Sequence, residues 1–154
     1  MKIAIVSGSV FDTATGYAAD ICEQLQHKEY EVQHFAVHLF AEVSMQQLLD
    51  FDADIYIWVV STTGVGELPP NFVPLYQELR DNLPQQLRGK SYVIIGLGSS
   101  CYDDFCNGAV LMQELNDELG MYQLLPTLKL DDVEEPEDNK AKVNKLISEF
   151  LTKI

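Results

Sequence analysis

Apolar residues along this chain follow two alternating patterns: short unbroken runs, and longer stretches with helical spacing. Ile3–Val6, Ile55–Val60 and Val93–Ile95 are unbroken and mostly β-branched or aromatic. Such runs suit strands buried on both faces, and they predict strands over Lys2–Ser7, Ala53–Val60 and Lys90–Leu97. Two weaker runs, Glu31–Val37 and Leu124–Leu130, read as edge strands, the second interrupted at Pro126. Between them lie helical spacings. Ala18, Ile21, Cys22 and Leu25 share one face of a helix over Ala14–His27, and Phe72, Leu75, Tyr76 and Leu79 give a stripe to a helix opened by Pro70. A short helical piece covers Met45–Leu49. Phe105–Leu119 forms another helix, ended by Gly120. Val143, Leu146, Ile147, Phe150 and Leu151 line one face of a last helix over Pro136–Ile154.

Strand and helix thus alternate five times, without linker, repeat or low-complexity segment. That order predicts an α/β fold, a parallel sheet with helices on both faces, in one domain over residues 1–154. Composition adds limits. With 47% apolar residues, the 154-residue chain can bury a core without staples, and no apolar run approaches the length of a membrane span. The amino end runs directly into a strand, with no secretory pattern, so the cytoplasm is the expected location. Three cysteines argue against a disulfide framework. A net charge of −14 opposes nucleic-acid and anionic-membrane binding and would steer a basic protein partner. From charge alone, solubility is the favoured account of this acidity.

Three strand-ending loops carry the candidate chemistry. Gly8-Ser9-Val10-Phe11-Asp12-Thr13 joins a strand to a helix, where backbone N–H groups and hydroxyls make an anion seat. It reads equally as a βα turn capped by Asp12 or Thr13. It has neither the glycine spacing of a dinucleotide fingerprint nor the lysine of a nucleotide P-loop. Thr62-Thr63-Gly64-Val65-Gly66 and Gly98-Ser99-Ser100-Cys101-Tyr102 offer backbone groups and an aromatic face, between which a planar heteroaromatic fits. Each loop alone is an ordinary surface turn; together, on one rim of a parallel sheet, they point to a site.

Two motifs stand in register: Ser61-Thr62-Thr63-Gly64-Val65-Gly66-Glu67-Leu68-Pro69, and Gly96-Leu97-Gly98 followed by Tyr102, Phe105, Cys106, Asn107 and Gly108. With the first loop, they make essentially the whole chain resemble the flavodoxins, most of all the small bacterial MioC/YqcA type, and also the FMN domains of diflavin reductases. The resemblance implies a flavodoxin-like three-layer, doubly wound sandwich around a five-stranded parallel sheet of order 2-1-3-4-5. It implies FMN as cofactor. Ser9, Val10, Phe11, Asp12, Thr13 and Ala14 would surround its phosphate, and Thr62, Thr63 and Gly64 would line one side of the ring. Gly98, Ser99, Ser100, Tyr102, Phe105 and Cys106 would line the other, with Tyr102 stacked on it and Asp131 at the rim. The first loop departs from the family pattern: Asp12 stands where a glycine is usual, and Ala14 lacks the last hydroxyl.

A cofactor of this kind brings its own redox chemistry, so no catalytic residue is expected. Glu67, Asp103, Asp104 and the Tyr102 ring would disfavour negative charge on the reduced ring and favour single-electron steps. The implied role is a non-enzymatic, monomeric electron carrier that docks transiently on a basic flavoprotein reductase and on a redox acceptor enzyme. The alternative is a binding or regulatory module of the same fold with weak or lost FMN binding, suggested by Asp12. His34 and His38 lack further ligands at metal spacing, and Trp58 reads as core.

Overall fold

The computed structural model describes residues 1–38 and 41–154. Its centre is a parallel sheet of β1 (Lys2–Gly8), β2 (Glu31–Val37), β3 (Ile55–Ser61) and β4 (Ser91–Gly98) in the order β2-β1-β3-β4. The fifth position is shared by two short pieces, β5 (Tyr122–Gln123) and β6 (Leu128–Asp131), which pair with opposite ends of β4. The flavodoxin-like order 2-1-3-4-5 is present, with the last strand divided. Pro126 lies in the gap and has no N–H to give to a ladder; Leu124 N–H still reaches Tyr92 O of β4 at 2.9 Å, and the strand expected through this stretch is interrupted until Leu128.

The period of two in each strand sends side chains to opposite layers. Ile3 and Ile5 of β1 and Ile55, Ile57 and Val59 of β3 meet α1 (Thr13–Gln26) and α5 (Pro136–Lys153) in one buried cluster. Ala4, Val6, Tyr56, Trp58 and Val60 face the other way. They pack with α2 (Met45–Phe51), α3 (Val73–Asn82) and α4 (Asn107–Glu118). Both faces of the central strands are therefore apolar, which is why their sequences show runs rather than alternation.

Helix boundaries shift where local backbone chemistry intervenes. The third helix begins at Val73 rather than Pro70, because Phe72 N–H turns back onto Pro69 O at 2.8 Å and Pro74 occupies the first helical turn instead. The fourth begins at Asn107 rather than Phe105, since Cys106 is left-handed at φ 55°. Ser44 caps α2 reciprocally with Gln47.

Trp58 is fully buried, as the apolar run implies, and its Nε1–H donates to Asn116 Oδ1 at 3.0 Å. Asn116 in turn donates from Nδ2 to Met112 O, so a polar pair sits satisfied within the apolar layer.

Candidate functional site

The register of the sheet brings β1, β3 and β4 to the same level at their carboxyl ends: Gly8 lies opposite Val60, Ser61 opposite Leu97, and Gly98 opposite Asp131 of β6. The loops that follow meet above this edge and enclose a cavity of about 470 Å3. Ser9, Val10, Phe11 and Thr13 form one wall. Thr62, Thr63 and Gly64 form another, and Gly98 closes the floor beside Leu97. A second hollow of about 300 Å3 shares Thr62, Gly64 and Gly98 and extends to Ser99 and Tyr102.

In the first loop Ser9 is 3% exposed, yet its Oγ has no hydrogen-bonding partner among the described residues. A buried hydroxyl left open costs stability unless something else bonds it. It lies beside the start of α1, whose first N–H groups have no intrahelical acceptor. Asp12 takes the cap position of that helix with φ 59°, a left-handed conformation that aspartate tolerates better than most residues, and makes no side-chain cap. Its carboxylate instead accepts from His38 Nδ1 at 3.1 Å. Ala14, the second residue of α1, is fully buried in the cluster between that helix and the sheet. Neither Asp12 nor Ala14 lines the cavity.

The second and third loops are stitched together by the start of α4. Thr62 Oγ1 accepts from Gly108 N–H at 2.9 Å, and Asn107 Nδ2 donates to Gly66 O at 2.7 Å. Thr63 and Glu67 exchange two backbone hydrogen bonds, which closes the loop into a tight hairpin with Gly64 and Gly66 at positive φ. Gly108 must be glycine: a Cβ there would sit 2.8 Å from Ser61 O. The two motifs therefore meet through two contacts, Thr62 with Gly108 and Gly66 with Asn107, unreadable as such without the fold.

In the third loop, Tyr102 is 70% exposed beside the smaller hollow. Cys106 is buried under Gly98, with its Sγ within 3.5 Å of Gly96 O, and burial pushes its thiol up to about 11. Phe105 is half-buried behind the loop, and Ser100 is on its outer side. Asp131 sits beneath rather than on the rim. It accepts at Oδ1 from Ser100 N–H at 3.0 Å and from Val133 N–H at 3.2 Å. Hydrogen bonding from the Ser100 side chain, then from these backbone groups, holds its carboxyl below the usual range. The rim position expected of Asp131 falls to Asp132, which lines both hollows. Ser61, Leu97 and Asp104 also border them; the first two stand within the two sequence motifs and the third among the carboxylates expected near the ring, though none of the three is among the residues expected to line the site.

The donor set is that of an anion site without cations: among the described residues lining the cavity there is no Lys or Arg. A hydroxyl-rich helix start can hold phosphate through neutral N–H and O–H donors, and the orphaned Ser9 Oγ fits such a ligand. Between the Thr62–Gly64 and Gly98–Tyr102 loops, backbone edges and an aromatic face fit a flat heterocycle. Among the described residues no group of three or more His, Cys, Asp or Glu is placed to hold a metal ion. His34 Nε2 is engaged instead by Ser7 Oγ at 2.7 Å.

Comparison with known proteins agrees with this geometry. A family model described as Flavodoxin matches residues 5–145. Flavodoxin YqcA of Pectobacterium carotovorum is 35% identical over 136 residues, covering 88% of this chain and 86% of its own. A MioC homologue of Pasteurella multocida is 35% identical and covers 84% and 83%. Among solved structures, a mutant flavodoxin from Pseudomonas aeruginosa superposes with a TM-score of 0.84 at 37% identity, over 97% of this chain and 98% of that one.

Proposed function

The chain belongs to the flavodoxin family, and on that premise we propose that it is an FMN-binding electron carrier whose cofactor occupies the three-loop cavity. When bound, FMN supplies the redox chemistry. The chain's own residues bind, orient and shield it. Ser9, Thr13 and the first N–H groups of α1 receive the phosphate, with Val10, Phe11, Asp12 and Ala14 shaping that loop. Thr62, Thr63 and Gly64 hold one side of the ring. Gly98, Ser99 and Tyr102 hold the other, on a base formed by Phe105, Cys106 and Asp131, to which the Ser100 N–H ties the loop. The observation that carries this reading is the buried, unpartnered Ser9 Oγ at the helix start, in the wall of a cavity whose opposite wall is built by the ring loops.

The carrier works one electron at a time between a basic flavoprotein reductase and a redox acceptor enzyme, as a single-domain monomer in the cytoplasm. The net charge of −14 supports such partners. So do the exposed Glu67, Asp103, Asp104 and Asp132 around the exposed apolar Phe11, Val65 and Tyr102. A transient complex of this kind gains its association rate from charge complementarity, and loses it with salt. Among the described residues no helix is long and apolar enough to cross a membrane. The rival reading, a module that has lost FMN, drew on Asp12; that carboxylate is engaged by His38 and lines no part of the cavity, which supports the carrier.

The test is a titration of the cofactor-free protein with FMN, followed by flavin fluorescence and the visible spectrum. Quenching with one-to-one stoichiometry is expected, together with weaker binding of riboflavin, which lacks the phosphate. A protein that stays colourless and quenches nothing is a module that has lost its cofactor.

A further inference from the structure

We propose that His38 is a positioning residue that keeps the phosphate seat open by holding the Asp12 carboxylate away from the N-terminus of α1. The inference rests on the FMN reading above and adds a device to it. An aspartate at a helix N-cap ordinarily turns its carboxylate onto the N–H groups of the second or third residue, which is why the residue is favoured there. Asp12 occupies the cap of α1 and does not do so. Its left-handed backbone and the 3.1 Å bond to His38 Nδ1 direct the carboxylate outward. The N–H groups it would otherwise consume stay available beside the unpartnered Ser9 Oγ. Those are the same donors that a phosphate needs. Self-capping, which needs an extended backbone at Asp12, and phosphate binding are mutually exclusive, and the bond to His38 holds Asp12 in the left-handed form that leaves the donors free.

The imidazole is held for this task. His38 lies just beyond β2, and its N–H and C=O both pair with Ala41, at 3.0 and 3.3 Å. A carboxylate only accepts, so the ring must carry its proton on Nδ1. The neighbouring His34 is engaged elsewhere: its Nε2 bonds Ser7 Oγ at 2.7 Å and the residue is half-buried within β2. The His38–Asp12 pair is itself exposed, with side chains 40% and 69% accessible. An exposed pair contributes little to global stability, so its place in the structure is better explained by what it prevents.

The experiment compares FMN affinity in the wild-type chain, H38A, D12G and the double variant D12G/H38A, with the melting temperature of each cofactor-free protein. Removing His38 frees Asp12 to cap the helix, and a cap is worth ~1 kcal/mol, about fivefold in affinity. H38A is expected to bind FMN about fivefold more weakly while its cofactor-free form melts about 2–4 °C higher, because the cap that competes with the phosphate stabilises the empty protein. D12G should bind at least as tightly as the wild type, because glycine accepts the left-handed backbone without strain. The double variant should match D12G, since without a carboxylate there is nothing to hold. An H38A affinity equal to wild type overturns the proposal, and so does a defect that persists in the D12G background. If no form binds FMN, the cofactor reading fails, and nitrogen NMR of the imidazole still decides this one. A His38 Nδ1–H signature abolished by D12G supports the latch; a ring protonated only at Nε2, or unaffected by D12G, refutes it.

Discussion

Replacing Gly108 with alanine sets two effects of known sign against each other. Gly108 is the second residue of α4, and alanine is a better helix former by about 1 kcal/mol. The added Cβ, however, meets Ser61 O at 2.8 Å, Thr62 Oγ1 at 3.1 Å and Leu68 Cδ2 at 3.4 Å. The first of these is backbone at the end of β3, so it cannot swing aside. Relief requires α4 to back away, which breaks the Gly108 N–H bond to Thr62 Oγ1. Overpacking costs about 1–3 kcal/mol and the lost bond about 0.5–1.5 kcal/mol. Against the propensity gain, the net loss is roughly 2 kcal/mol, or about 4–8 °C in melting temperature for a chain of this size. Gly16 supplies the control. It lies in α1 with nothing within 4 Å of its would-be Cβ, so G16A should stabilise by about 0.5–1 kcal/mol. Urea unfolding of the two variants, followed by circular dichroism, reads both numbers, and FMN titration should show G108A, not G16A, weakened through Thr62. A G108A protein as stable as wild type, alongside a normal G16A, would refute the claim that this close approach fixes the ring loops.

Other consequences are open to measurement. His34 titrates below its ordinary value, first because it is buried and then because of the charge on His38; the folded state therefore binds fewer protons than the unfolded one below about pH 6.5. Stability should be fully present above that pH and fall as pH drops through it, and urea midpoints measured across this range should lose that slope in H34Q. N116L leaves the Trp58 indole N–H without an acceptor inside the core, at a cost of about 1–3 kcal/mol. In the W58F/N116L double variant the loss should be smaller than the sum of the single losses, and additive losses would deny the pair its coupling. In native protein at mildly alkaline pH, iodoacetamide with mass-spectrometric mapping should modify exposed Cys101 first and half-buried Cys22 slowly. Cys106, buried and with its thiol pushed up to about 11, should react only on unfolding. Rapid native labelling of Cys106 would mean that the third loop opens.

The sequence by itself determined the architecture. Runs such as Ile55–Val60 are strands apolar on both faces, and a strand apolar on both faces needs a helix layer on each side. Once β and α alternate, right-handed crossovers leave few arrangements, and the glycine- and hydroxyl-bearing loops must gather at the carboxyl edge. What the sequence could not determine were the contacts made between distant segments. Nothing local distinguishes Asn116 from an exposed helix residue; it is buried because Trp58 needs an acceptor where α4 crosses β3. The divided last strand, the left-handed Cys106 that delays α4, and Asp132 rather than Asp131 at the cavity follow from how the third loop packs on β6. Asp12 makes the same point at the phosphate seat. In the sequence it is a negative charge where a phosphate is expected, whereas in the fold a histidine from the end of the neighbouring strand turns it outward. Side-chain direction depends on partners that only tertiary structure brings near.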